Sequence, residues 1–180
     1  MPKLPTRQQS IKLSEKYIEN EKLRHHCNMT ADAMEAYAEK LDEDRELWYQ
    51  TGLLHDLDWE KYPDEHPNKA VKDLLTEYPS ELIEAIKAHA PGRTGKKPEA
   101  KLDKYLFACD ELSGLMYAVS LMRPNGFADM KVKSVKKKIK DKSFAANVSR
   151  DDIRKGFELI GAEDPSEHIS FLIEVFKKNL

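Results

Sequence analysis

Apolar side chains recur at helical spacing along almost the whole of this chain of 180 residues, and no segment alternates apolar and polar residues as an exposed strand does. Proline breaks the interior of a helix, so the nine prolines, from Pro2 to Pro165, predict joints between helices. The predicted helices cover residues 7–20, 22–40, 44–57, 68–77, 80–90, 99–119, 131–140, 150–160 and 166–178. The sequence thus predicts an all-α fold, in which Ser80 and Ser149 act as N-caps and the segment APGRTGKKP forms a loop.

The composition suits one globular domain with a well-solvated surface, since 40% of the residues are hydrophobic and 34% are charged. The net charge of −2 provides no basic excess, so a nucleic-acid polymer is not expected as a partner. No apolar run is long enough to cross a bilayer, and the N-terminal residues lack the apolar stretch of a signal peptide. The two cysteines have no CxxC spacing, which favours a reducing compartment. We therefore expect a cytoplasmic protein without a membrane partner, whose oligomeric state the sequence leaves open.

A strongly basic segment, KVKSVKKKIKDK, runs from residue 131 to 142 after an RPNG turn. This change in composition predicts a C-terminal helical extension over about 124–180 around a core over about 20–120, within one domain spanning residues 1–180. The basic segment is interpreted as a solvated helix face or, if the extension folds over a binding site, as a rim that attracts phosphate. His168, near the start of the last predicted helix, is expected at the surface.

The doublet His55-Asp56 closes an apolar helix in the segment LLHDLDW. His55 follows Thr51 by four residues and Trp48 by seven, which puts these three side chains on one helical face. A carboxylate buried there needs a cation or a hydrogen-bond donor. A metal ion is one solution, whereas a His-Asp hydrogen bond or an exposed helix end would account for an isolated doublet.

The doublet is not isolated. His26, His89 and Asp110 each share a helical face with apolar residues, so we expect their side chains to point inward. His66 ends the polar loop that follows the doublet. Any one of these histidines alone is more readily read as an ordinary core or surface residue.

Taken together, these residues supply four imidazoles and two carboxylates, which is a ligand set for one or two divalent transition-metal ions. The predicted ligands are His26, His55, Asp56, His66, His89 and Asp110. The donors suit iron, manganese, zinc, cobalt or nickel, with magnesium as a further option. Asp56 is the most natural residue to bridge two ions.

The order of His26, the His-Asp doublet and Asp110 resembles the H…HD…D signature of the HD-domain phosphohydrolase superfamily. The resemblance covers residues from about 20 to 120. The segment ACDELSGLMYAV is also similar to the aspartate-bearing helix of small bacterial HDIG-type proteins, although Leu57-Asp58 stands where the stricter HDIG form has Ile-Gly. The resemblance implies an HD-domain helical bundle.

This resemblance further implies metal-assisted hydrolysis of a small phosphorylated substrate, a phosphate ester with nucleotides among the candidates. A divalent ion lowers the pKa of a bound water to about 7, which provides a nucleophile at neutral pH. Asp56 and Asp58 are the predicted catalytic residues. Asp58, like Glu60 and Asp64 in the same loop, is a candidate for proton transfer or for a hydrogen bond to a ligand histidine.

A phosphate group also needs positive charge nearby. Lys61, Arg93 and Arg123 are the predicted substrate-binding residues. Arg93 is preferred because a guanidinium can hold a phosphate through two parallel hydrogen bonds, although a solvated loop charge would explain it as well.

Two other functions remain open at this stage. Some HD-domain proteins resemble di-iron oxygenases that use the same set of four histidines and two aspartates, and the presence of both His66 and His89 fits that class. A non-catalytic module that binds a nucleotide is the other alternative, although such a module has no need for an intact ligand set.

Overall fold

The computed structural model describes residues 3–179 and contains helices but no strand within that range, which confirms the all-α prediction. The α-helices are α1 (Arg7–Tyr17), α2 (Glu21–Leu41), α3 (Arg45–Leu54), α4 (Ser80–His89), α5 (Pro91–Thr94), α6 (Lys101–Leu121), α7 (Val132–Lys140), α8 (Arg150–Leu159) and α9 (Pro165–Asn179). None of the helices between residues 3 and 179 has the length and apolar character that a bilayer crossing requires. Pro2, one of the predicted joints, lies outside the described residues.

The segment between α3 and α4 differs most from the prediction. The helix predicted over 44–57 ends at Leu54, where Nδ1 of His55 donates to the carbonyl of Gly52 at 2.7 Å. The helix predicted over 68–77 is instead a short π-helix, Ala70–Leu74, in which Leu75 N–H donates to the carbonyl five residues earlier. The side chain of Asp58 accepts from the N–H of Ala70, so a contact distant in sequence shapes this turn.

Two further local predictions have different outcomes. Ser149 is confirmed as an N-cap, since its hydroxyl accepts from the N–H of Asp152 at 3.1 Å. The N-cap prediction for Ser80 is wrong, because Pro79 occupies the cap position and Ser80 begins α4. The segment APGRTGKKP is not entirely a loop, because α5 forms within it with Pro91 at the first helical position, where its missing N–H costs nothing.

Helices α2 and α3 approach each other closely at Gly52. A Cβ atom at Gly52 would lie 2.8 Å from backbone atoms of both Ala31 and Thr30. A glycine inside a helix usually lowers stability, so the close contact explains why this residue type suits the position. The contact places the end of α3, with His55, directly against α2.

The C-terminal helices pack on the same core. Gly156 of α8 lies against Ala108 of α6, where an added Cβ would approach within 2.8 Å of the Ala108 Cα. Buried apolar residues of α9, including Leu172 and Phe176, belong to the same hydrophobic cluster as those of α2 and α6.

The loop between α7 and α8 is held by one buried arginine. The guanidinium of Arg150, with only 7% of the residue exposed, donates to backbone carbonyls at the end of α7 and in the following loop. The acceptors are Lys138, Ile139, Asp141, Phe144, Ala145 and Val148. These contacts hold the loop at residues 141–149 in place.

The surface position predicted for His168 is wrong. His168 is 3% exposed, and its Nε2 donates to the carbonyl of Ala108 at 3.1 Å. Its Nδ1 is hydrogen-bonded to the hydroxyl of Tyr37, which must donate because Nε2 carries the ring proton. Burial lowers the pKa of His168 to about 4, so the imidazole is neutral inside the fold.

We predict that Gly52→Ala destabilises the protein by about 1–3 kcal/mol, the usual range for overpacking a core. The added methyl group would push the α2 and α3 backbones apart. Chemical denaturation of the variant measures the effect. Gly92→Ala is the matched control, because a Cβ there meets no atom within 4 Å. Equal stability of the two variants would contradict the close-contact interpretation.

We also predict that His168 makes the protein less stable in mild acid. Its pKa is about 6.5 when unfolded and about 4 when folded, so the unfolded state binds the extra proton between those values. This part of the stability is present above pH 6.5 and is lost as the pH falls towards 4, with a slope of at most about 1.4 kcal/mol per pH unit. Denaturation of wild type and His168→Gln from pH 7 to 4.5 should show a shallower loss for the variant, and identical slopes would contradict the assignment.

Candidate metal centre

Three predicted ligands from different helices converge at one side of the centre. Nε2 of His26, on α2, lies 3.2 Å from Nε2 of His55 at the end of α3. Oδ1 of Asp110, on α6, lies 3.0 Å from Nε2 of His26 and 3.4 Å from Nε2 of His55. One nitrogen or oxygen from each residue thus lies within 4.8 Å of the other two, a spacing that could hold a metal ion.

The other three predicted ligands form a second group. Nε2 of His66 lies 3.2 Å from Nε2 of His89. Oδ1 of Asp56 lies 3.4 Å from the first of these nitrogens and 3.6 Å from the second. This group could also hold a metal ion by the same criterion.

Asp56 lies between the two groups. Its Oδ1 faces His66 and His89, whereas its Oδ2 lies 3.4 Å from Nε2 of His55 and 3.8 Å from Nε2 of His26. One carboxylate therefore presents a separate oxygen to each group of imidazoles, which is the geometry of a bridging ligand.

The outer nitrogens of three imidazoles are engaged by acceptors. Nδ1 of His55 donates to the carbonyl of Gly52, and Nδ1 of His89 donates to the carbonyl of Ile86 at 2.5 Å. Nδ1 of His66 faces Oδ1 of Asp58 at 2.6 Å. Because carbonyl and carboxylate oxygens only accept, each Nδ1 carries a proton, and in its neutral form each of these rings presents the Nε2 lone pair to the centre. The Nε2 atoms of His66 and His89 face each other at 3.2 Å, and a cation between two such lone pairs would stabilise them.

Charge is strongly coupled within the centre. Burial raises the pKa of Asp56, but the neighbouring imidazoles, above all His55, hold it well below its usual value. The same opposing effects lower the pKa of Asp110. Burial lowers the pKa of His55, yet the charges of the two aspartates raise it well above its usual value. The two carboxylates therefore stay charged beside a protonated His55, and a metal ion bound there would take the place of that proton.

Five of the six predicted ligands, all except His55, line a cleft of about 690 Å³. Trp59 and Arg93 also line it, together with Pro91 and Gly92 of α5. Glu111 and Gly114 of α6 contribute to the lining, and the C-terminal helices and their loop supply further residues. These further residues are Ala145, Asn147, Val148 and Asp152.

The predicted substrate-binding residues have different positions. Arg93 lines the cleft, and its guanidinium lies 5.4 Å above the ring of Trp59. Lys61 is not among the lining residues, and its Nζ donates to the carbonyl of Lys16 at 2.9 Å. Arg123 is also remote from the cleft lining and pairs with Asp129 at 2.9 Å.

The structure does not bring Asp58 into the cleft. Asp58 is fully buried, and its two oxygens accept from Nδ1 of His66 and from the N–H of Ala70. Asp58 therefore cannot reach the cleft for proton transfer. The other predicted role, a hydrogen bond to a predicted ligand histidine, is present. None of the lysines in the segment 131–142 lines the cleft, although the extension that contains them does reach it.

Several residues of the cleft had no signal in the sequence. Glu111 is next to Asp110, but its position in the cleft wall depends on α8, because its Oε2 accepts from the N–H of Ser149 at 2.9 Å. Burial, together with the charge of Asp110, raises the pKa of Glu111 to about 7. Trp59 is 42% exposed, and its ring stands edge-on to that of His66. Only the tertiary packing brings these side chains beside the ligands.

The comparisons with known proteins agree with this geometry. Residues 23–115 match the HD domain family, a range that includes every one of the six predicted ligands. No curated protein and no solved structure matches the chain. The match covers about half of the sequence and confirms the resemblance carried by the His-Asp doublet. The chain belongs to the HD domain family and has its all-α bundle.

Proposed function

We propose that this protein is a metal-dependent phosphohydrolase that acts on a small phosphate ester. The HD domain superfamily consists mostly of metal-dependent hydrolases, and this chain has two groups of side chains that could hold divalent ions. The proposal assigns His26, His55 and Asp110 to one ion and His66 and His89 to a second, with Asp56 shared between them.

One observation carries the proposal: the Nε2 lone pairs of His66 and His89 face each other at 3.2 Å beside Oδ1 of Asp56. Their Nδ1 protons are already donated to other acceptors, so two neutral rings have no proton to place between these nitrogens. Imidazole nitrogens and carboxylate oxygens are ligands that first-row divalent ions accept, so the residues present fit a metal. The donors are compatible with iron, manganese, zinc, cobalt or nickel.

A divalent ion at these residues would polarise a phosphoryl oxygen and lower the pKa of a water molecule to about 7. The side chains have separate roles. His26, His55 and Asp110 would hold one ion, and the carboxylate of Asp56 would serve both ion positions. Arg93 supplies the positive charge at the cleft wall that an anionic ester requires.

The charges of the cleft favour a substrate with a single phosphate. Among the described residues that line it, Arg93 is the one lysine or arginine, whereas Glu111 and Asp152 add carboxyl groups to the lining. A chain of two or three phosphates would extend towards those carboxylates without further cations to pair with. We therefore favour small phosphomonoesters over nucleoside polyphosphates as the substrate class.

We also infer that residues 124–180 are part of the same domain as the HD core. Gly156 of α8 packs against Ala108 of α6, and Glu111 accepts from the N–H of Ser149. Asn147 and Asp152 contribute to the cleft wall. The C-terminal extension therefore belongs to the proposed substrate site.

A di-iron oxygenase is the second candidate, because a bridging Asp56 and two complete groups of ligands also suit a pair of iron ions. This function predicts consumption of dioxygen by the iron-loaded protein without release of phosphate. A binding module without turnover predicts neither reaction.

We predict that Asp56→Ala removes bound metal and activity while helical content stays unchanged, because both groups lose their shared carboxylate. Metal analysis of protein purified without added metal, with circular dichroism, measures the outcome. Asp64→Ala is the matched control, since this exposed aspartate belongs to the same loop. Full metal content and activity in Asp56→Ala would remove the assignment.

We predict that phosphomonoesters are hydrolysed with kcat/KM on the order of tenfold higher than nucleoside triphosphates, equivalent to about 1.4 kcal/mol. A panel of both substrate classes, tested with Mn²⁺, Fe²⁺, Co²⁺, Ni²⁺ and Mg²⁺, measures the difference. A preference for triphosphates would contradict the argument from the cleft charges. Dioxygen uptake by the iron-loaded protein, with no phosphate released from any ester, would favour the oxygenase instead.

A further inference from the structure

The two ligand groups are supported differently by the fold. His26, His55 and Asp110 lie on or at the end of α2, α3 and α6, which pack against one another in the core. In the second group, His66 belongs to the segment between α3 and the π-helix and lies outside both elements. Something other than a helix must therefore direct its imidazole towards the centre.

Asp58 makes that contact. Its Oδ1 accepts from Nδ1 of His66 at 2.6 Å, and its Oδ2 accepts from the N–H of Ala70 at 2.7 Å. Asp58 is fully buried, so water does not compete for either hydrogen bond. The carboxylate therefore links the imidazole of His66 to the start of the π-helix.

This contact determines which nitrogen of His66 faces the centre. With the proton held on Nδ1, Nε2 is left as a lone pair, 3.2 Å from Nε2 of His89 and 3.4 Å from Oδ1 of Asp56. The backbone is held from the other side, because Nη1 of Arg93 donates to the carbonyls of Pro63 and His66 at 2.7 and 3.2 Å. Arg93 therefore stabilises the loop, whereas Asp58 holds the Nδ1 proton of the imidazole itself.

We propose that Asp58 is a positioning residue that sets the second metal position, whereas the position formed by His26, His55 and Asp110 does not depend on it. Asp58 acts through His66: it fixes the ring rotamer and the tautomer whose Nε2 can bind an ion. The inference rests on the proposed function, since it requires that the centre hold metal. It replaces the proton-transfer alternative for this residue with a role in metal binding.

To test this, the metal-free protein is titrated with Co²⁺ alone, and binding is monitored by calorimetry and by the visible absorption of bound cobalt. Wild type should bind two ions. Asp58→Ala and the milder Asp58→Asn should lower the affinity for one ion about 10–100-fold, the usual effect of removing the partner of a ligand histidine, and leave the other unchanged. His66→Ala gives the reference for loss of the second position.

Glu60→Ala is the matched control. The structure does not support the sequence-based candidacy of Glu60 for proton transfer or for a histidine contact, because Glu60 does not line the cleft and instead accepts from the N–H groups of Glu19 and Asn20 in the same region of the fold. This variant should bind both ions as wild type does. If Glu60→Ala loses the second ion as Asp58→Ala does, the effect is general loosening of the loop, and the proposal is overturned.

A measurement on the metal-free wild type does not depend on any variant folding. Long-range ¹H–¹⁵N correlation spectra should show a proton on Nδ1 of His66, and a neutral ring with its proton on Nε2 instead would overturn the proposal. Wild type that binds no cobalt would overturn both this inference and the proposed function. Two ions bound with wild-type affinity in both Asp58 variants would overturn this inference alone.

Discussion

The candidate centre depends on hydrogen bonds that hold a proton on the outer nitrogen of three of its four imidazoles. The acceptors are a carbonyl in α3, a carbonyl in α4 and the buried carboxylate of Asp58. A neutral imidazole that donates outward through Nδ1 presents a lone pair inward, and lone pairs that converge with two carboxylates form a site suited to a cation. Everything else that the fold does for this centre is to hold the acceptors at the right positions.

The packing of α2 against α3 fixes the position of one of these acceptors. Gly52 allows the backbones of α2 and α3 to touch, and the same residue provides the carbonyl that accepts from Nδ1 of His55. The close packing of two helices and the orientation of a ligand are therefore properties of one position. The loop that carries His66 has no such support and depends on Asp58 and Arg93 instead.

The C-terminal helices contribute to the cleft beside the HD core. The family match ends at residue 115, whereas the cleft lining includes Asn147 and Asp152. Arg150 holds the loop that precedes α8, and the N–H of Ser149 donates to Glu111 beside the predicted ligand Asp110. This side of the cleft is therefore formed in part by residues beyond the family match.

The sequence alone determined the helical class and pointed to the six residues that meet in the candidate centre, because helical periodicity and an inward-facing His-Asp doublet are local patterns that need no knowledge of the fold. It favoured Arg93 among the cations on chemical grounds, but it could not tell that Asp58, Lys61 and Arg123 stay out of the cleft, since a charged residue in a loop looks the same in the sequence whether it faces the cleft, a neighbouring carbonyl or solvent. The burial of His168, the π-helix and the cleft positions of Trp59 and Glu111 were decided by tertiary packing. Each of them results from contacts between residues far apart along the chain, such as Tyr37 with His168. Local sequence periodicity contains no information about which distant residues will meet, so these features could not be predicted from it.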